Sequence, residues 1–489
     1  MSLIGTYYEI FKEKINIVFF GWLCIVAVVV YSFYTITIFK LFYRDSIWVA
    51  SYAYNITQNG SALDVMAREA GMVLAHGRIH DIFYGYFMAI FDTLPHAHRY
   101  LSWILSNVAL LLYFRLSIAL GYTSKVSIFS VLFLAINEHF LLASHIARTD
   151  VLAFVFVLFV LLLMIDKSTA VKASLAGFIA AMAIDVHLST QYMLFMLLSY
   201  ELVQKKSIKQ IYEKYKYFFI AYLCGLIVVV LNNIAYLDTI QLGIQLLQAK
   251  AIETSIFDRV SWYFLFGLDS AYFRWLFYPL VLVLAIYICL PFNRPIKGVL
   301  KSMSLFIGGF MGFVLLGRMN HHYIILFNVF LYQILIFQVF RARDTLIKLF
   351  LLLFTVIFIG IQSYIVIRDG GADIQEYQFK IKAAFKVNPD VVVIAPDDLW
   401  FLYKDNEFNG YHSRIDFANL KRTKKVLFIS NEIHRRFIEL GVSLGEGTGV
   451  NKFNKEFLKD FSKVSQVKDK HYGGFGITKN NIITFYTNY

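Results

Sequence analysis

Charge is scarce in this chain: of 489 residues only 16% are Asp, Glu, Lys or Arg, while 58% are hydrophobic. A soluble domain is about 25% charged and about 45–50% apolar, so one water-soluble core cannot hide this much apolar surface. Proline is equally sparse, with 6 residues, which excludes collagen-like and Pro-rich disordered chains. The three cysteines, Cys24, Cys224 and Cys289, all lie inside apolar runs and read as small buried hydrophobes, without a disulfide framework or zinc-type spacing. The formal net charge is +13, yet no single basic block stands out as a nucleic-acid patch, so no nucleic-acid partner is expected. There is no Walker loop, no dinucleotide-type glycine loop and no nucleophile elbow. What abounds is aromatic: 48 Phe and 32 Tyr. An apolar, charge-poor chain of this length is a polytopic membrane protein.

Runs long enough to cross about 30 Å of hydrocarbon fall at 17–39, 99–120, 126–144, 150–166, 171–186, 188–203, 217–237, 272–290, 299–317, 322–340 and 345–367. The sequence thus predicts about eleven spans, the first retained as an anchor because no small-residue cleavage site follows it. The stretch 82–94 is too short to cross and is expected to lie at the interface. Charge fixes the parity. With the N-terminus in the cytoplasm, every Lys before residue 368 except Lys40 and Lys250 falls on the cytoplasmic side, as the positive-inside rule requires. The long first outer loop then covers about 40–98.

The apolar pattern, and with it the membrane unit 1–367, ends at Ile367. Residues 368–489 are expected to form a small α/β domain on the outer face, with buried strands near 390–398, 425–430 and 481–486 and a helix over 431–440.

The polar residues a membrane protein should avoid sort to one side. All twelve His fall in outer loops, near outer span ends or in the outer domain. They keep company with Arg and acids: Arg44-Asp45, His76-Gly-Arg78-Ile-His80-Asp81, His145-Ile-Ala-Arg148-Thr-Asp150, Asp185-Val-His187 and Arg318-Met-Asn-His321-His322-Tyr323. Each has a plain reading as well: an ion pair anchoring a helix end, a helix cap at Thr149-Asp150, a satisfied interhelical polar residue at His187. His96, His98 and Arg99 read as ordinary interfacial residues. Titratable groups near hydrocarbon are costly, so their joint gathering marks a functional site. Arginine forks suit phosphate, His and Tyr add donors, and a neighbouring carboxylate accepts a hydroxyl proton.

The ordered pattern resembles the GT-C superfamily of polyprenyl-phosphate-sugar glycosyltransferases, especially the protein mannosyltransferase and aminoarabinose lipid A transferase branch. The resemblance rests on an acid soon after the first span (Asp45), an Arg-x-Asp in the next outer loop (Arg148, Asp150), and a helix beginning Gly177-Phe-Ile-Ala-Ala-Met-Ala-Ile that leads to His187. A late Arg318-x-x-x-His322-Tyr323 and a C-terminal α/β domain complete it. It implies a polytopic α-helical GT-C fold and an inverting transfer of a monosaccharide from a polyprenyl-phosphate donor to an envelope glycan, lipid or protein. Asp45 would be the base, with Arg148 and residues 318–323 holding the donor phosphate. Arg44, Arg78, His80, Asp81, Asp150 and His187 complete the expected substrate-binding set. Asp45 is followed by Ser46 rather than a second acid, and the branch's His-Pro-Pro segment is matched at 76–84 without proline. Members resembling oligosaccharyltransferases hold a divalent metal with loop acids such as Asp45 and Asp150, but the preferred branch is generally metal-independent, so no metal or other cofactor is expected. The implied location is the inner membrane of a bacterium, with the site and residues 368–489 facing the periplasm or exterior.

Three rivals fit less well. A polysaccharide polymerase or ligase concentrates its function in a large late loop. A flippase or transporter calls for broken helices at the midplane and an inverted repeat, neither of which the sequence displays. A periplasmic sensor leaves the membrane acids unexplained.

Overall fold

A computed structural model of the chain describes residues 17–38, 78–90, 97–145, 149–166, 169–204, 207–234, 255–263, 297–316, 321–341, 374–395, 399–403, 406–410, 420, 422–430, 459, 461–469 and 481–489. The expected spans 272–290 and 345–367, the strip 40–77 and the boundary at 368 lie outside them. Helix α1 (Ile17–Ile38) is followed by α2 (Arg78–Ile90), α3 (Ala97–Leu120), α4 (Ser124–Ala135), α5 (Glu138–His145), α6 (Thr149–Ile165) and α7 (Ala170–Val186). After a 3-10 turn at Leu188–Gln191 come α8 (Tyr192–Val203), α9 (Ile208–Asn233), α10 (Ile256–Trp262), α11 (Lys297–Leu316) and α12 (His321–Arg341). By length and composition α3, α9 and α11 are long and apolar enough to cross a bilayer.

Helix α2 overlaps the stretch 82–94 that the sequence reads as too short to cross. Its 13 residues rise only about 20 Å. Asp81, Tyr84, Gly85 and Met88 are buried at helical spacing, while Phe83, Tyr86 and Ile90 are exposed.

Two expected spans are more irregular than uniform apolar runs suggest. The run 126–144 is two helices, α4 and α5, broken at Ile136 and Asn137. There Asn137 Oδ1 accepts from Phe140 N–H at 3.2 Å, capping α5, and its Nδ2 donates to the Tyr332 hydroxyl at 3.0 Å. The sequence shows no such break, because Asn137 is a lone polar residue inside an apolar stretch. A carrier breaks helices around a substrate cavity; this break is buried and closed by Tyr332. The run 188–203 begins with the 3-10 turn, leaving α8 only 12 residues long. Conversely α9 starts well before 217, because the capping box of Ser207 and Gln210 nucleates helix through the charged turns.

Small residues bring helices into contact. Helices α7 and α9 meet along Ala173, Gly177 and Ala181, where a Cβ on Gly177 would fall onto the Phe218 carbonyl oxygen; one on Gly308 of α11 would fall onto that of Phe195 in α8. Close backbone approach at small residues is how helices pack where water supplies no drive.

The helix ends alternate. At one end lie the C-termini of α1, α7, α9 and α11 and the N-termini of α3, α6 and α12, joined by the contacts described below. At the other, Tyr122 before α4 donates to Ser302 of α11 at 3.0 Å, Ser302 donates to Gln333 of α12 at 2.8 Å, and Lys214 of α9 pairs with the buried carboxylate of Glu201 in α8.

The C-terminal part contains α13 (Ile374–Ala384), β1 (Val392–Ala395), α14 (Trp400–Tyr403), β2 (Phe408–Gly410), β3 (Val426–Ser430), β4 (Ser462–Asp469) and β5 (Asn481–Thr487). The sheet order is β2-β1-β3-β5-β4; β2, β1 and β3 are parallel, and β5 is antiparallel to β3 and β4. Strands β1, β3 and β5 are those the apolar runs predict, because central strands are buried on both faces. The edge strands β2 and β4 carry no such signal: one has three residues, and the other reads Ser-Lys-Val-Ser-Gln-Val-Lys-Asp. The expected helix 431–440 lies outside the described residues. One sheet face, through Val393, Leu427, Ile429 and Phe485, shares a hydrophobic cluster with Tyr84 and Met88 of α2 and Leu101 of α3. The sheet therefore rests on α2.

Candidate active site

Helix α2 carries the first group of polar residues. His80 and Asp81 are both 0% exposed, with His80 Nδ1 3.1 Å from Asp81 Oδ1. The His80 ring stacks on Tyr84 at a centroid distance of 4.3 Å, and the Tyr84 hydroxyl meets Ser102 Oγ of α3 at 2.7 Å. Burial, with the Asp150 charge adding to it, pushes the Tyr84 phenol well above its ordinary range, so it stays a neutral hydroxyl at physiological pH. Asp150 opens α6 and is 4% exposed. The N-terminus of α2 is fastened to its neighbours: Ile79 N–H donates to Asp185 Oδ2 at 2.8 Å, and Arg78 Nη1 donates to the Asn232 carbonyl at 3.3 Å.

The second group lies where α7 ends. His187 is extended, and its Nδ1 accepts from Ser189 N–H at 3.1 Å, which leaves a neutral ring carrying its proton on Nε2. Its ring centroid is 4.2 Å from that of Tyr323, in the first turn of α12. Tyr192 lies within electrostatic reach of both Tyr323 and Arg259. Arg259 belongs to α10 and donates to the Val314 and Leu315 carbonyls at 2.8 and 3.2 Å, so it reads the C-terminal end of α11. Asp185 and His187 are two residues apart and link the groups.

A third set holds the end of α1. Arg99, fully buried, donates from Nη1 to the Ile36 carbonyl at 3.0 Å, and Trp103 Nε1 donates to Ser32 Oγ at 3.0 Å. His145 donates from Nδ1 to the Leu141 carbonyl at 2.7 Å and feels the Arg99 charge. These residues anchor the helix from which the chain runs on to Arg44 and Asp45.

Of the residues the sequence singles out, Arg78, His80, Asp81, Asp150, His187 and Tyr323 gather at one end of the bundle. His321 and His322 lie in the first turn of α12. Arg44, Asp45, Arg148 and Arg318 lie outside the described residues; Arg148 immediately precedes α6, and Arg318 falls between α11 and α12. Sequence reasoning sets Arg99 aside as interfacial, notes Asp185 only as a companion of His187 and Tyr84 only as the end of the 76–84 segment, and passes over Arg259. Arg99 had a signal: it sits inside the first turn of an apolar span rather than beyond it, where an arginine must be paired. Arg259 had none, because only the fold brings α10 against α11. Among the described residues, no group of three or more His, Cys, Asp and Glu is arranged to hold a metal ion.

The fold matches a solved architecture. The crystal structure of ArnT from Cupriavidus metallidurans bound to undecaprenyl phosphate superimposes with a TM-score of 0.59 over 95% of this chain and 98% of that one, at 10% identity. The chain has the GT-C fold. Two structures of the Archaeoglobus fulgidus oligosaccharyltransferase, one with Zn and sulfate and one tethered to an acceptor peptide, are also similar at 10% identity. They cover 82% and 94% of this chain with TM-scores of 0.43 and 0.44, too low to carry any argument. No protein-family model and no curated protein sequence matches. Within this fold, the buried His80, Asp81, Asp150 and Asp185 and the partly buried His187 and Tyr323 occupy one end of the helical bundle, beside the sheet.

Proposed function

We propose that this protein is a membrane glycosyltransferase that moves a monosaccharide from a polyprenyl-phosphate donor to an envelope glycan, lipid or protein on the outer face of a bacterial inner membrane. The observation that carries this reading is the gathering of His80, Asp81, Asp150, His187 and Tyr323 from four separate elements at one end of a GT-C bundle. That the similar ArnT structure holds undecaprenyl phosphate supports a lipid-phosphate donor. The membrane unit 1–367 is the catalytic part; the unit 368–489, seated on α2, covers it from the outer side.

In this mechanism the acceptor hydroxyl oxygen forms a bond to the anomeric carbon from the face opposite the phosphate. The carbon–oxygen bond to the polyprenyl phosphate breaks, and the leaving phosphate takes the electron pair. Asp45 accepts the hydroxyl proton. Arg148 and residues 318–323 neutralise the charge building on the phosphate, where aimed donors in a site shielded from water act most strongly. His187, neutral with its proton on Nε2, and the Tyr323 hydroxyl add donors without adding charge. Arg44, Arg78, His80, Asp81 and Asp150 shape the acceptor side.

The substrate class is tested by native mass spectrometry of the purified protein. Undecaprenyl phosphate is expected to remain bound and the uncharged polyprenol to be lost; equal retention of both would remove the phosphate from the reading. The orientation is tested with reporter fusions at Lys209 and at Tyr489. Opposite sides of the membrane are expected, and same-side signals would break the assigned topology.

A further inference from the structure

Asp185, the penultimate residue of α7, is 4% exposed and spends its carboxylate on two other elements. Oδ2 accepts from Ile79 N–H at 2.8 Å, and Oδ1 accepts from Asn233 Nδ2 at the end of α9. Ile79 is the second residue of α2, and the first N–H groups of a helix find no acceptor within it. A carboxylate there does what an N-cap does, with the added attraction of negative charge for the positive end of the helix. Here the cap comes from a distant part of the chain. Directly after the capped residue come His80 and Asp81, then Tyr84 beside Asp150.

We propose that Asp185 is a positioning residue. It fixes the height and rotation of the first turn of α2 over the ends of α7 and α9, and through that turn it places His80 and Asp81. The sheet grips the same helix further along, at Tyr84 and Met88, so loss of the cap frees the first turn while the rest of α2 stays seated. The proposal's effect on turnover rests on the glycosyltransferase reading; its effect on α2 does not.

The test uses the full-length protein in lipid nanodiscs and two variants. Asp185→Ala removes both bonds, whereas Asn233→Ala removes only the tie to α9 and spares the cap. Hydrogen–deuterium exchange of residues 79–82 is expected to quicken about tenfold or more in Asp185→Ala, as one charge-assisted bond predicts, and to stay near wild type in Asn233→Ala. Turnover in Asp185→Ala should fall about tenfold to a hundredfold with donor affinity held within about twofold, because misplacement costs rate rather than ground-state binding. Asp185→Asn keeps the volume and one acceptor, provides a second variant should the alanine form fail to insert, and should give the same pattern more mildly. The proposal is overturned by unchanged exchange in both Asp185 variants, by equal loosening in Asn233→Ala, or by loosened α2 with undiminished turnover. If the wild-type protein transfers no sugar at all, the glycosyltransferase reading fails, and the exchange result alone decides the cap.

Discussion

Asp45→Asn is expected to lower transfer by about 10²- to 10⁴-fold while leaving the protein inserted and folded, since the change keeps the side chain's size and removes only its ability to accept a proton. The remaining rate would come from positioning and from stabilisation of the leaving phosphate, neither of which requires the base. The measurement is turnover of lipid-linked donor by equal amounts of membrane-inserted wild type and variant, with thermal unfolding as the check on folding. Undiminished turnover in Asp45→Asn would place the base elsewhere, and Asp81 and Asp150 would be next to test. The structure gives a reason to expect folding to survive. The end of α1 is held by Arg99 and Trp103, which the substitution leaves in place.

Arg148→Ala carries the second large effect. A guanidinium donating to a phosphate makes charge-assisted hydrogen bonds of about 1.5–3 kcal/mol, so its removal should weaken donor binding by about tenfold to a hundredfold. Arg148→Lys keeps the charge but loses the planar fork and should fall between the two. Titration of the protein with polyprenyl phosphate reads the effect directly. Unchanged affinity in Arg148→Ala would shift the phosphate site to residues 318–323 and the His187–Tyr323 pair.

Sequence and structure agree most closely where the physics is one-dimensional. Hydrophobic length marks α3, α9 and α11, and the deficit of length in 82–94 marks the short helix α2. Consecutive spans predict alternating ends, and the bonds from α2 to Asp185 and Asn232 and from Arg99 to Ile36, with the ring contact between His187 and Tyr323, join the ends that fall on one side. Legibility is lost where an interaction is long-range. Asn137 reads as one polar residue in an apolar run until Tyr332, 195 positions away, supplies its partner. Edge strands β2 and β4 lack the buried runs that betray central strands. Arg99 reads as interfacial although its place inside the first turn of an apolar span signals pairing, and only the fold shows that the Ile36 carbonyl is its partner. Asp185 stands in the sequence next to His187, but its role depends on α2 lying across the end of α7, which only the fold reveals.

The central claim is that this protein glycosylates something in the envelope, and mass spectrometry of envelope glycans, lipids and proteins tests it whatever the sugar and the acceptor are. Cells with the wild-type protein, cells lacking it and cells carrying only Asp45→Asn are compared. The account predicts one class of envelope molecule heavier by a single monosaccharide in the first, and missing that mass in both of the others. Identical envelopes in all three, or a modification that persists in Asp45→Asn at the wild-type level, would contradict it.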